Sequence, residues 1–341
     1  MSNKLSKNDL IPEHFSLFRN ISNAFSRWGL DNAHTIFNFK NINILIYATL
    51  YKSIISYNLN DEIIITEIKN AHKYDITNFR YYHKKSNNKY IIMSISGEQN
   101  LKLWDFYNWE CILNLKSIYK FGLIFSSCFL NEDNKDYILT CGSADQSEIK
   151  IYDFSGVFIK LINNSSEKTL FIDSIFDKIN SKTYIITGND GYIKSYNYKE
   201  NKLYHKYKDS GQSWHCSIKY IFNENVLKLI DSCWGDDYIR IWNFHSAILL
   251  NKIKTNGSNI KSICIYNNNC IVIGCYDHTI RLIDIKNEKV DKILFGHKDW
   301  VNTITKINHP KYGECLISQG IGRNEMIKIW VRNNSYFYND K

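Results

Sequence analysis

The residue types that do acid–base, nucleophilic or metal chemistry occur in this 341-residue chain, but not in arrangements that would perform it. The ten histidines include no His-x-x-x-His pair, so no helical turn offers two imidazoles to a metal. The nine cysteines include no Cys-x-x-Cys pair, and most, such as Cys128, Cys233 and Cys264, lie inside apolar runs. An odd number in that setting reads as reduced, buried thiols of a cytoplasmic protein, with nuclear or cytoskeletal association left open. There is no Gly-x-Ser-x-Gly elbow and no glycine-rich phosphate loop ending in Lys-Ser/Thr. Gly-Asn-Asp-Gly at 188–191 has the composition of a hairpin turn. The expectation is a non-enzyme with no cofactor, no metal and no small-molecule substrate. What remains is recognition chemistry. Trp214 in "SGQSWHC", Trp234 in "CWGDD", Tyr276 in "CYDHT", Trp300 in "HKDWV" and Arg323 in "GIGRNE" stand in turn-like stretches. Exposed aromatic and arginine side chains are the types that anchor protein-binding hot spots.

The formal charge of +9 comes from 43 Lys and Arg against 34 Asp and Glu. The basic residues are dispersed, and the chain is equally rich in Asn, Ile and Tyr, which points to a bias in residue usage. Nucleic acid and acidic membranes are therefore disfavoured as partners, and other proteins are expected. No apolar run is long enough to span a bilayer, and the N-terminus lacks the unbroken apolar stretch of a secretory signal.

The elements that must carry the aromatic turns announce themselves by repetition. "LKLWDF", "IKIYDF", "IKSYNY", "IRIWNF", "IRLIDI" and "IKIWVR" share an apolar residue, a basic one, a third residue and a bulky one. With Tyr57 of "KSIISYNL" the bulky markers are Tyr57, Trp104, Tyr152, Tyr196, Trp242, Ile283 and Trp330, spaced 41 to 48 residues apart. Around each marker lie short β-branched and aromatic runs separated by turn compositions. That period suits blades of four strands. The predicted fold is all-β: one seven-bladed propeller of four-stranded antiparallel blades over 31–341. The basic residues two before the markers, Lys102, Lys150, Lys194, Arg240, Arg281 and Lys328, are expected to lay their stems beside the marker and carry their charge to water.

"GHKDWVNTI" (296–304) followed by "IKIW" (327–330), and "AHKYDITNF" (71–79) followed by "LKLWD" (101–105), resemble the glycine-histidine to tryptophan span of the WD-repeat family. The resemblance runs from about residue 33 to 332. In that family His, Ser or Thr, Asp and Trp form a hydrogen-bonded chain inside a blade. The resemblance implies His72, Ser94 and Trp104 in blade two, with Glu98 in the acid's place. It implies Ser232, Asp236 and Trp242 in blade five without a clear histidine, and His297, Ser318 and Trp330 in blade seven. It also implies a non-catalytic scaffold or complex subunit, with two alternatives. One is a propeller binding RNA or a phosphoinositide membrane. The other is a ubiquitin-ligase substrate adaptor, although the Trp-Asp-x-Arg ending of one adaptor group is absent.

Residues 1–30 stand outside the repeat. Leu17, Phe18, Ile21, Ala24, Phe25 and Trp28 recur at helical spacing between Pro12 and Gly29, which predicts an amphipathic helix. The competing reading makes part of this segment the outer strand of blade seven, because little chain follows Trp330.

Overall fold

The computed structural model describes residues 15–25, 32–97, 99–119, 122–142, 148–163, 168–209, 214–223, 225–257, 259–322 and 326–332. Their 28 strands form seven antiparallel four-stranded sheets. Blades one to six take 34–68, 76–115, 124–163, 169–207, 214–254 and 260–294 in turn, each running outward from an innermost strand. Blade seven joins three strands within 301–332 to the strand Phe15–Ile21. No helix occurs among the described residues.

Burial follows the strand's place in the blade. Third strands such as Ile54–Asn58 and Ile280–Asp284 are buried at every residue, as is the second strand Cys270–Cys275. The outer strand Ile63–Ile68 is exposed or half-exposed throughout. A middle strand covered on both faces needs a largely apolar run, which is why the sequence reads "CIVIGC" there. The repeated marker supplies the joint between blades. Trp104 packs in the cluster shared with blade one, Trp242 in that shared with blade four, and Trp330 in that shared with blade six. Tyr57, Tyr196 and Ile283 likewise bury toward the preceding blade, and Tyr152 packs against the cluster between blades two and three. Seven such clusters close the ring.

Residues 15–21 correct the helical expectation for the N-terminal segment. They pair antiparallel with Ile327–Arg332, from Phe15 opposite Arg332 to Ile21 opposite Ile327. Three C-terminal strands alone would leave blade seven one strand short, and the pairing satisfies an edge that a lone helix would leave open. A β-bulge between Leu17 and Arg19 breaks the alternation. Phe15 therefore buries on the blade-six side and Ile21 on the blade-one side. That flip imitates helical spacing in the sequence. Pro12, Trp28 and Gly29 lie outside the described residues. The joint to blade one is also polar: the Ala33 amide donates to Thr303 Oγ1 at 2.7 Å, and the His34 ring lies 3.2 Å from both Gln319 Oε1 and Thr305 Oγ1.

The end of a second strand meets the innermost strand of the next blade with little room to spare. A Cβ on Gly274 would lie 2.5 Å from the Val301 carbonyl oxygen of the next blade and 2.6 Å from Ser262 Oγ. At Gly97 the nearest neighbour would be 3.9 Å away. We expect Gly274→Ala to cost about 1–3 kcal/mol through overpacking. Gly97→Ala should be neutral or stabilising by up to about 1 kcal/mol. Urea unfolding midpoints of the two variants check this; equal midpoints would show that this contact between blades is loosely packed.

Candidate protein-docking face

The site is built on polar staples inside the blades. In blade two, Trp104 Nε1 donates to Ser94 Oγ at 2.8 Å, and His72 Nε2 lies 2.7 Å from the same oxygen. Blade seven repeats this with Trp330, Ser318 and His297 at 2.8 and 2.6 Å. Glu98 lies outside the described residues. Blade five corrects the expectation. Trp242 Nε1 donates to Asp231 Oδ1 at 2.5 Å, and His215 Nδ1 meets Asp231 Oδ2 at 2.6 Å. Ser232 Oγ has no hydrogen-bond partner among the described residues. Register explains the difference. Ser94 pairs with Lys102, Ser318 with Lys328 and Asp231 with Arg240, always two residues before the tryptophan. The turn of blade five is one residue longer than that of blade two, so counting back ten from Trp242 lands on the opposite face of the strand.

His215, Asp231 and Cys233 bring three metal-capable atoms within 4.8 Å of one another. Both oxygens of Asp231 are already engaged by Trp242 and His215. Arg240 NH1 stands 3.6 Å from Cys233 Sγ, and burial raises that thiol's pKa well above the ordinary range. A cation here would compete with a guanidinium for a protonated thiol, so the cluster is a structural network.

Several of the recurring basic residues turn their heads onto the loop that enters their own blade. Lys102 Nζ donates to the Ala71 carbonyl at 2.6 Å, Lys150 Nζ to that of Ile118 at 2.8 Å, and Arg281 NH1 to that of Thr255 at 2.7 Å. Each carbonyl belongs to the loop that enters the same blade. Arg240, 2% exposed, holds Asp209 on the loop leading to Trp214 and Asp236 in the turn after Trp234. Burial alone would lower its pKa; the bonds to Asp236 and Asp209 outweigh that and raise it. Asp236 is thus the partner of Arg240 rather than a member of the tryptophan chain. Arg281 holds Asp277 beside Tyr276 in the same way, at 2.6 Å.

These staples converge on one end of the axis. Trp214 opens the innermost strand of blade five and pairs directly with Trp234, which ends the second strand. Their rings stack with centroids 5.1 Å apart. Tyr276 follows the second strand of blade six and stacks on Trp300 at 3.5 Å. All four line a single cavity of 590 Å³ at the axial mouth. Leu123, Phe125 and Leu170, from the blade-three and blade-four side, complete its apolar wall. Lys168 and Lys261 are its only charged lining residues among those described. Lys168 Nζ lies 6.0 Å from the Trp214 ring centre and Lys261 Nζ 5.5 Å from that of Trp300. Burial pushes the Lys261 pKa below its ordinary value, against a smaller opposing pull from Cys216. Trp214 remains 38% exposed; Trp234, Tyr276 and Trp300 are half-buried. Arg323 lies outside the described residues. Sequence reasoning therefore found the four rings and missed the two lysines, for which ring proximity is the only signal.

Comparison with known proteins adds the fold and little more. No protein-family pattern matches the chain. A stretch of 113 residues, 33% of the chain, is 22% identical to the U3 small nucleolar RNA-associated protein 21 homolog of Schizosaccharomyces pombe, and covers 12% of that protein. The crystal structure of Raptor from Chaetomium thermophilum superposes on 93% of the chain with a TM-score of 0.71 and 13% identity. The chain spans 29% of that Raptor chain. The likeness is one of fold: both contain a β-propeller. No helix among the described residues is long and apolar enough to cross a membrane.

The corrected blade-five network makes a sharp prediction. Asp231→Ala leaves the buried Trp242 N–H without its acceptor and the His215 ring with Cys233 Sγ in place of a carboxylate, and should cost about 2–4 kcal/mol. Ser232→Ala, one residue along, removes a hydroxyl with no partner among the described residues and should change stability by no more than about 0.5 kcal/mol. Chemical denaturation of the two variants separates the registers; the reverse order would restore Ser232 to the chain.

Proposed function

We propose that this chain is a non-catalytic WD-repeat propeller that serves as a docking subunit of a protein assembly, cytoplasmic or nuclear according to where that assembly resides. The observation that carries this reading is the convergence of Trp214, Trp234, Tyr276 and Trp300, from three successive blades, on one open cavity. Contiguous exposed apolar surface of this kind marks interaction sites, and tryptophan and tyrosine are the types that dominate binding energy when buried in a partner. The two His–Ser–Trp chains and the ring of seven blades support membership of the WD-repeat family. The Raptor likeness supports the fold alone.

A second reading follows from the name of the fission-yeast relative: a subunit of a small-nucleolar-RNA-associated particle. In that setting the propeller would still act through protein contacts, since its positive charge is dispersed. Binding to isolated RNA should therefore be weak and lost by about 200 mM salt. A salt titration of filter binding tests this, and nanomolar affinity surviving that salt would make the anion-binding alternative the stronger one.

The docking reading is tested by pull-down and thermal melting on three variants. Trp234→Ala and Tyr276→Ala should weaken capture by about 2 kcal/mol or more, roughly thirtyfold. Their stability cost should stay near the stacking contribution of about 0.5–1.5 kcal/mol. Trp330→Ala should melt early, with a core penalty of about 3–5 kcal/mol. If both mouth variants retain every partner, the docking surface lies elsewhere.

A further inference from the structure

We infer that the axial mouth takes a short peptide segment in which a bulky apolar side chain stands next to a carboxylate. This rests on the docking reading above and adds the chemistry of the occupant. The cavity's 590 Å³ lies within the roughly 300–1,000 Å³ of pockets that enclose a ligand's surface. Its aromatic and aliphatic walls call for an apolar group. Among the described lining residues its charges are two ammonium groups and no carboxylate. Lys261 has no acidic partner among the described residues, and its desolvated ammonium lies against the Trp300 ring. A ligand carboxylate would neutralise that charge where screening is weakest.

Two other occupants fit the cavity less well. Paired aromatic rings commonly receive a cation. Here that position is filled by the chain's own Lys168 over Trp214 and Lys261 over Trp300, so a second cation would be pressed against two like charges. Stacked nucleic-acid bases need open ring faces. Trp234 already covers Trp214, and Tyr276 covers Trp300.

The test is selection of a displayed library of random short peptides on the whole protein. Fluorescence anisotropy then follows the enriched peptide, its Glu→Gln and Glu→Lys analogues, and labelled oligouridine. The expected result is enrichment of an apolar residue beside Asp or Glu. Lys261→Gln should weaken the acidic peptide about tenfold, leave the Gln analogue unchanged, and be rescued by Lys261→Arg. Enrichment of lysine-bearing peptides, no enrichment at all, tighter binding of oligouridine, or equal loss on the acidic and Gln analogues overturns the inference. If Trp234→Ala and Tyr276→Ala abolish partner capture while the library selects basic peptides, docking stands and only the acidic preference falls.

Discussion

Everything in this fold depends on the fact that a single blade cannot bury its own faces. The second and third strands present side chains that must be buried on both sides, so each blade needs a neighbour on each side. The marker residue makes that contact, with Trp104, Trp242 and Trp330 each packed toward the preceding blade. The requirement has no natural end except closure. Closure is made by Phe15–Ile21, whose partners lie more than 300 residues away in sequence. Backbone pairing fixes the register there, while Phe15 and Ile21 bury on opposite sides of the blade. The ring is thus held by non-local pairing at one seam and by local hairpins everywhere else.

The same architecture delivers the candidate site. A blade-crossing loop is the part of a propeller least constrained by ladder bonds, yet it leads directly into Trp214. Arg240 supplies the missing constraint by gripping Asp209 on that loop and Asp236 in the turn beyond Trp234. Arg281 does the same for the Tyr276 turn through Thr255 and Asp277. A buried guanidinium is costly unless its donors are met. Meeting them fixes two loops at once, and the aromatic pairs stack because their backbones are already held. The repeated cation is therefore an architectural residue whose effect reaches the site through loop position.

Much of this was legible in the sequence because the strongest signals were periodic. Seven markers spaced 41 to 48 residues apart implied the blade count, and the turn and blade-entry positions of Trp214, Trp234, Tyr276, Trp300 and Arg323 implied one shared face, of which the four rings line one cavity. What failed did so where period and register part company. The bulge at Leu17 made a strand look helical. One extra turn residue in blade five moved the polar chain from Ser232 to Asp231 and hid His215, which sits at the entry of an innermost strand. The heads of Lys102 and Arg281 meet loop carbonyls instead of water, because the entering loop passes close enough to accept them. Lys168 and Lys261 were invisible because only the closed ring sets them beside tryptophans.

The position opposite the cation shows how the fold tolerates such drift in sequence. It holds Ser94, Ser318 or Asp231 where a tryptophan N–H must be met. In blade three it holds Thr140, whose carbonyl accepts from Tyr119 Oη at 2.9 Å. In blade six it holds Ile273 opposite Arg281, beside the apolar marker Ile283, and the chain is dropped altogether. A buried polar network is favourable when its groups are met and costly when they are not, so each blade fills this position according to the partner beside it. What the blade demands at this position is satisfaction of the partner rather than a particular residue. That demand leaves the geometry intact while the residues change, which is how a chain 13% identical to Raptor's superposes at a TM-score of 0.71.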